Sequence, residues 1–451
     1  MTATSPNRTP VLIAGAPRPP AFSLSGQLAA ALQARGVHYG WFVLGATFLA
    51  MLATSGAMGS AGVMIEPLEK EFGWSAANVS SAMALRLALY GLMGPFAAAF
   101  INRFGVRRVV IAATLMIAAG ILASTAMTGL WQLVALWGVV VGLGTGMVAL
   151  VLGATVATRW FVARRGLAVG MLTASNATGQ LIFLPLLAKL TQDHGWRSAL
   201  VFIAIILMAA AVVAFLFLRD RPSDLGLAPY GERQVAPPPQ QDLALGALLS
   251  SPIRALYEAR ASRTFWVLFL TFFVCGLSTN GLIQTHWIAL CGDYGVAPVA
   301  AAGALAAIGA FDFVGTLASG WLSDRYDNRW LLFAYYGLRG LSLLALPFTN
   351  FSVVGLSAFA VFYGLDWVAT VPPTVKLAAA RFGTERANLT FGWIFAGHQL
   401  GAATAAFGAG AARTELSTYL PALYVAGVAC VAASALILTL ARPKPRALAA
   451  A

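Results

Sequence analysis

The sequence predicts an all-α membrane protein: twelve transmembrane helices arranged as two six-helix pseudo-repeats. Three observations predict it. First, 59% of the 451 residues are hydrophobic and only 10% are charged, against about 25% charged in a typical soluble domain. Such a chain in water would expose large apolar patches and associate. Second, apolar windows of the length needed to cross a bilayer, about 20 residues, recur along the whole chain. Third, the chain repeats itself. Gly320-Trp321-Leu322-Ser323-Asp324-Arg325 echoes Ala98-Ala99-Phe100-Ile101-Asn102-Arg103, and Phe265-Trp266-Val267-Leu268 echoes Trp41-Phe42-Val43-Leu44. Asp293-Tyr294-Gly295 stands to the second half as Glu71-Phe72-Gly73 stands to the first. Two like halves that rock about a central site are the physical basis of a transporter.

The elements follow in order. A Pro-rich polar segment, 1–38, reads as an N-terminal tail, and its one apolar stretch, Val11 to Ala16, is too short for a signal-peptide core. Spans are expected near 40–64, 77–100, 107–127, 131–157, 166–189 and 198–218, forming a first bundle over 39–218. Residues 219–263 interrupt the apolar pattern with Pro222, Pro229 and Pro237-Pro238-Pro239 and read as the linker between halves, with a short amphipathic helix expected over 252–262. Spans near 265–289, 298–321, 330–349, 352–377, 388–411 and 416–440 form the second bundle over 264–440, and 441–451 is a C-terminal tail.

Charge placement orients the chain. Apart from Arg86, Arg339 and Lys376 inside spans, only Lys70, Lys189, Arg197 and Arg413 of the 29 basic residues fall in odd-numbered loops. Basic loops stay on the cytoplasmic side, so both termini are expected there. The net charge of +13 is thereby a topology signal and not a nucleic-acid footprint. Cys275, Cys291 and Cys430 show neither disulfide nor metal spacing. No Gly-x-x-x-x-Gly-Lys-Ser/Thr run occurs, so no ATP drive, metal or other cofactor is expected within this chain. An enzyme would need a converging nucleophile or metal cluster, and the spacing offers none.

The duplicated basic loop resembles the signature of the major facilitator superfamily, Gly-x-Leu-x-Asp-Arg, between spans two and three and again between eight and nine. The second copy keeps Gly320, Leu322, Asp324 and Arg325; the first keeps Arg103, Gly105, Arg107 and Arg108 but has Asn102 in place of Asp. The resemblance implies a gating latch formed by Arg103, Arg107, Asp324 and Arg325, weaker in the first half because Asn102 carries no charge. A narrower resemblance lies at Trp160-Phe161-Val162-Ala163-Arg164-Arg165-Gly166-Leu167-Ala168-Val169-Gly170, which is similar to the span-five signature of the monocarboxylate transporters. Gly195-Trp196-Arg197 and Arg221-Pro222-Ser223-Asp224-Leu225-Gly226-Leu227 resemble the oxalate/formate antiporters of the same group. The span-four Arg and the span-five Gly-Pro-x-x-Gly-Gly run of drug exporters are missing.

An ionisable group inside a span is costly unless paired or facing water, so each one is a functional candidate. Arg86, with Tyr90 one turn on, is the candidate carboxylate clamp, since a guanidinium grips a planar anion through two parallel bonds. Asp312 matches by resemblance the span-eight Asp of monocarboxylate transporters, with Thr316 where their Arg stands, and is the candidate proton carrier. Asp366 precedes the helix-breaking Pro372-Pro373 and reads equally as a second proton site or a counter-ion, while Arg339 reads as a structural partner for an acid. His398 stands near the depth at which the oxalate relatives carry a substrate-binding Lys. Asn176 and Gln180 in span five, and Asn280, Gln284 and His286 in span seven, complete the candidate substrate contacts. The expectation is a secondary carrier of a small carboxylate, proton-coupled or anion-exchanging, monomeric as a functional unit in a bacterial inner membrane. The alternative is an exporter of an apolar drug or metabolite by proton antiport.

Overall fold

The computed structural model describes residues 24–148, 150–232, 234–235, 245–382 and 384–441. The far ends of both expected tails and the linker stretch 236–244 lie outside the described residues. The expected spans form long helices: α1 (Tyr39–Phe72), α2 (Ala76–Phe104), α3 (Val106–Ser124), α4 (Leu130–Trp160), α5 (Arg165–His194) and α6 (Trp196–Phe217). The second half repeats the order as α7 (Arg263–Asp293), α8 (Pro298–Ser323), α9 (Asn328–Ala345), α10 (Val353–Phe382), α11 (Thr384–Leu416) and α12 (Leu420–Ile437). Helices satisfy their own backbone groups, which a bilayer cannot do.

Among the described residues, ten of these are long and apolar enough to cross a membrane. The other two, α5 and α11, are 30 and 33 residues long, contain residues whose side chains lie outside the described ones, and each meets the opposite half. α5 lies against α8, and α2 lies against α11.

Local chemistry sets the helix ends. Ser75 accepts from Asn78 N–H to open α2, Asp327 from Arg329 N–H to open α9, and Ser352 from Gly355 N–H to open α10. The repeated Glu71-Phe72-Gly73 and Asp293-Tyr294-Gly295 are explained by their glycines, which take φ of +68° and +78° where α1 and α7 stop.

The internal repeat is kept in the contacts. Arg107, opening α3, donates to the Phe215 carbonyl near the end of α6; its counterpart Arg329, opening α9, donates to the Leu440 carbonyl beyond α12. Asn102 accepts from Arg159 of α4 at 2.7 Å, and Asp324 is bonded to Lys376 of α10. Helices α4 and α10 are also both interrupted at matching places, α4 at Val148 and α10 over Trp367–Thr370.

At the end of the bundle away from the termini, one continuous apolar core joins the halves, including Ala57, Met64, Leu184 and Ile203 with Ile283, Trp287, Leu305 and Tyr363. At the end bearing the termini, the described apolar residues group separately. One cluster, around Val43, Ile101 and Trp160, belongs to the first half, and another, around Phe265, Tyr336 and Ile394, to the second. The linker starts by folding back on the first half, where Tyr230 N–H donates to the Trp160 carbonyl and His38 bonds the Ala228 carbonyl. Two short helices lie outside the bundle, Leu24–Ala34 and Leu245–Ala259. The second is the expected amphipathic helix, beginning and ending earlier than 252–262.

Candidate functional site

On α2 and α11, the helices that face each other across the seam between the halves, several buried polar atoms have no partner. Arg86 of α2 is 2% exposed. Its Nη1 donates to the Ala57 and Met58 carbonyls of α1 at 3.3 and 3.2 Å, and its guanidinium lies 5.9 Å from the Trp137 ring of α4. Nε has no partner. No ion pair among the described residues involves Arg86. A buried guanidinium whose described contacts are carbonyls and a ring face keeps an uncompensated charge, which is unfavourable.

One turn on, Tyr90 meets Phe395 of α11 edge to face at 5.8 Å, and Phe395 stacks on His398 at 5.7 Å. His398 also lies against Phe272 of α7, and its Nδ1 is buried and unpartnered. The neighbouring Gln399 leaves Oε1 unpartnered, with its Cβ against Gly91 of α2. Tyr90 and Gln399 thus meet the facing helix at the join between halves, Arg86 and His398 make their described contacts within their own halves, and three of these four side chains have an unsatisfied atom.

A second polar network lies inside the C-terminal half and is largely engaged, Asp366 Oδ1 excepted. Pro372 and Pro373 cannot donate backbone bonds to the preceding turn, so α10 breaks before them. The freed groups are taken up by side chains. Asp312 Oδ1 of α8 accepts from Val368 N–H and from the Thr316 hydroxyl, both at 2.9 Å. Ser319 donates to the Ala369 carbonyl, and Arg339 Nη2 donates to the Asp366 and Trp367 carbonyls. Arg339 Nε forms a 2.7 Å ion pair with Asp366, and Nη1 reaches Cys275 Sγ of α7 at 2.9 Å. Asp366 is therefore the counter-ion of Arg339, although its Oδ1 remains unpartnered.

The other candidates are placed as follows. His286 does not enter the seam group: Nε2 bonds the Ala406 carbonyl at 2.8 Å, tying α7 to α11 beside Tyr419. Asn280 and Gln284 lie in a π-helical stretch, Leu277–Gln284, and Gln284 sits where Gly62 of α1 meets α7. Asn176 and Gln180 are on α5, with side chains outside the described ones. In the latch loops, Arg103 lies by Phe104, Arg107 holds α6, Asp324 pairs with Lys376, and Arg325 covers Trp321 at 4.0 Å. The Lys376 ammonium beside Asp324 holds its carboxyl below the usual carboxylate range. Gln399, Cys275 and Trp137 are the contributors that the sequence did not single out. Only Gln399 carried a signal, as a polar neighbour of His398 inside a span.

Two pseudo-symmetric six-helix halves with ionisable groups buried inside the spans are the architecture of a membrane transporter. The chain belongs to the Major Facilitator Superfamily, whose profile it matches over residues 43–406 and 292–451. It is 27% identical to monocarboxylate transporter 13 of Rattus norvegicus, covering 89% of both chains. It is 30% identical to monocarboxylate transporter 11 of Mus musculus, over 68% of this chain and 65% of that one. It is 25% identical to the uncharacterized MFS-type transporter YcxA of Bacillus subtilis (strain 168), over 82% of this chain and 87% of that one. Its fold is similar to a bacterial homolog of the human lysosomal transporter Spinster in an inward-facing, occupied conformation. There the TM-score is 0.69 at 16% identity, covering 89% of this chain and 96% of that one.

Proposed function

We propose that this protein is a secondary active transporter that moves a small monocarboxylate across a bacterial inner membrane by alternating access, coupled to a proton or to a second anion. The observation that carries the reading is Arg86, a buried guanidinium with no acidic partner among the described residues and an unsatisfied Nε. A carboxylate supplies both the missing charge and the missing acceptor. The likeness to monocarboxylate transporters 13 and 11 supports the same substrate class. Tyr90 on the same helix as Arg86, and His398 and Gln399 on α11, would orient the substrate.

Asp312 is the proposed proton site. Its carboxylate caps the break in α10, so a proton on it weakens the bonds to Val368 and Thr316 and loosens α8 from α10. That links protonation to the motion of a helix next to the seam. The continuous core at one end and the divided core at the other fit a carrier closed away from the termini and opening toward them. With the basic loops placed inside, that is a cytoplasm-facing state.

The test uses purified protein in liposomes with an inward proton gradient. Uptake of labelled lactate, pyruvate, oxalate and formate is followed with and without a protonophore. Carboxylate uptake that in Arg86→Gln needs a much higher substrate concentration is expected. Uptake unchanged in that variant, or no uptake of any anion by folded protein, would overturn the carboxylate reading.

A further inference from the structure

The helix Leu245–Ala259 lies across the termini-bearing ends of α2 and α11 and contacts both. Its inner stripe is Pro252, Leu256 and Ala259. Pro252 accepts a bond from Trp393 Nε1 of α11 at 2.7 Å, Leu256 packs on the second-half core, and Ala259 is 2% exposed. Its outer face presents Ile253 and Tyr257, 57% and 64% exposed and one turn apart, with Arg260 stacked 3.8 Å over the Tyr257 ring. An apolar-aromatic pair flanked by arginines is the pattern of a helix that lies at a membrane surface.

Between this helix and the α10–α11 corner is a groove of about 560 Å³. Arg254 and Glu258 form one wall, and Arg381, Phe382 and Leu389 the other. Ser262 closes the groove where α7 begins; its hydroxyl is buried without a partner and makes no capping bond. Arg254 is 83% exposed in its side chain, and Glu258 stands 3.2 Å from it. Among the described lining residues, two guanidiniums stand against one carboxylate.

We propose that this groove binds the headgroup of an anionic phospholipid from the leaflet on the termini-bearing side. Arg254 and Arg381 would hold the phosphate, since guanidinium forks match phosphate oxygens. The Ser262 hydroxyl would donate to it, and Glu258 would accept from a headgroup hydroxyl. Ile253 and Tyr257 would place the acyl chains. A phosphatidylglycerol-type headgroup offers this set, whereas choline offers neither a net negative charge nor a donor. Because the helix spans α2 and α11, an occupied groove would tie the linker to the inter-half seam.

The test is native mass spectrometry of the full-length protein in detergent, titrated with phosphatidylglycerol, phosphatidylethanolamine and phosphatidylcholine of identical chains. Phosphatidylglycerol should be retained preferentially, and Arg254→Gln and Arg381→Gln should each reduce retention about fivefold while helicity and monodispersity stay unchanged. Ile253→Ser with Tyr257→Ser, which leaves the arginines intact, should weaken retention of all three lipids. Equal retention of the three headgroups, or a preference unaltered in both arginine variants, would overturn the proposal. A preference for phosphatidylethanolamine would overturn it in favour of an ammonium on Glu258. Thermal stabilisation by inorganic phosphate equal to that by the lipid would assign the groove to free phosphate instead.

Discussion

Removing Arg339 should be among the most destabilising single changes in this protein. Its side chain is fully buried and serves four acceptors: the Asp366 carboxylate, the Asp366 and Trp367 carbonyls, and Cys275 Sγ. The two carbonyls lie where α10 is broken, so no helical partner replaces the lost donor. Arg339→Met keeps much of the volume but strands the carboxylate of Asp366, whose side chain is 8% exposed. Breaking a buried pair from one side costs about 3–5 kcal/mol, roughly a hundredfold to several thousandfold in the folding equilibrium. Asp366→Asn should cost less, because the guanidinium keeps its carbonyl acceptors. The double variant should be more stable than Arg339→Met alone, because no unpaired charge is then buried, giving a coupling of about 1–3 kcal/mol. The assay is reversible chemical unfolding in mixed micelles, with slopes compared between variants so that stability is separated from changes in exposed surface. An Arg339→Met cost below about 1 kcal/mol, against the 3–5 expected for a buried pair, would refute the reasoning. So would strict additivity in the double variant.

Further outcomes are expected. Arg86→Gln exchanges a charge-assisted clamp for a neutral amide and should weaken substrate binding by about 1.5–3 kcal/mol, roughly 10- to 150-fold, as read by the concentration dependence of uptake. Asp312→Asn should abolish the response of transport to an imposed proton gradient while leaving carboxylate exchange measurable, and unchanged gradient dependence would exclude Asp312 as the proton site. His38 caps α1 as a neutral imidazole, Nδ1 accepting from Gly40 N–H while Nε2 bonds the Ala228 carbonyl, and burial holds its pKa below 6.5. A depressed folded-state pKa means that the unfolded chain binds the proton first. The cap's contribution is therefore complete above pH 6.5 and declines as pH falls below it. His38→Asn retains the cap and cannot titrate, so the stability gap between variant and parent should shift in favour of the variant from pH 7 to pH 5. Melting curves at both pH values check this.

The spans, their pairing into halves and the break in α10 were legible in the sequence because each depends on a property that runs along one dimension. Apolar runs of bilayer length specify helices whatever their neighbours, since lipid leaves backbone groups no other partner. Repeated loops mark repeated bundles, and Pro372-Pro373 breaks α10 wherever α10 lies. The balance of two arginines and two aspartates inside the spans was also visible, but not who meets whom. Tertiary structure paired Arg339 with Asp366, gave Asp312 the Val368 N–H to cap, and left Arg86 against carbonyls of α1. It also directed His286 to the Ala406 carbonyl, away from the seam group. A π-helical stretch from Leu277 to Gln284 precedes it, and its wider turn changes the rotation of every later residue of α7 relative to a regular helix. Which way a polar side chain points depends on how helices rotate and cross. That is decided by the packing of many small residues from distant parts of the chain, and no local stretch of sequence encodes it.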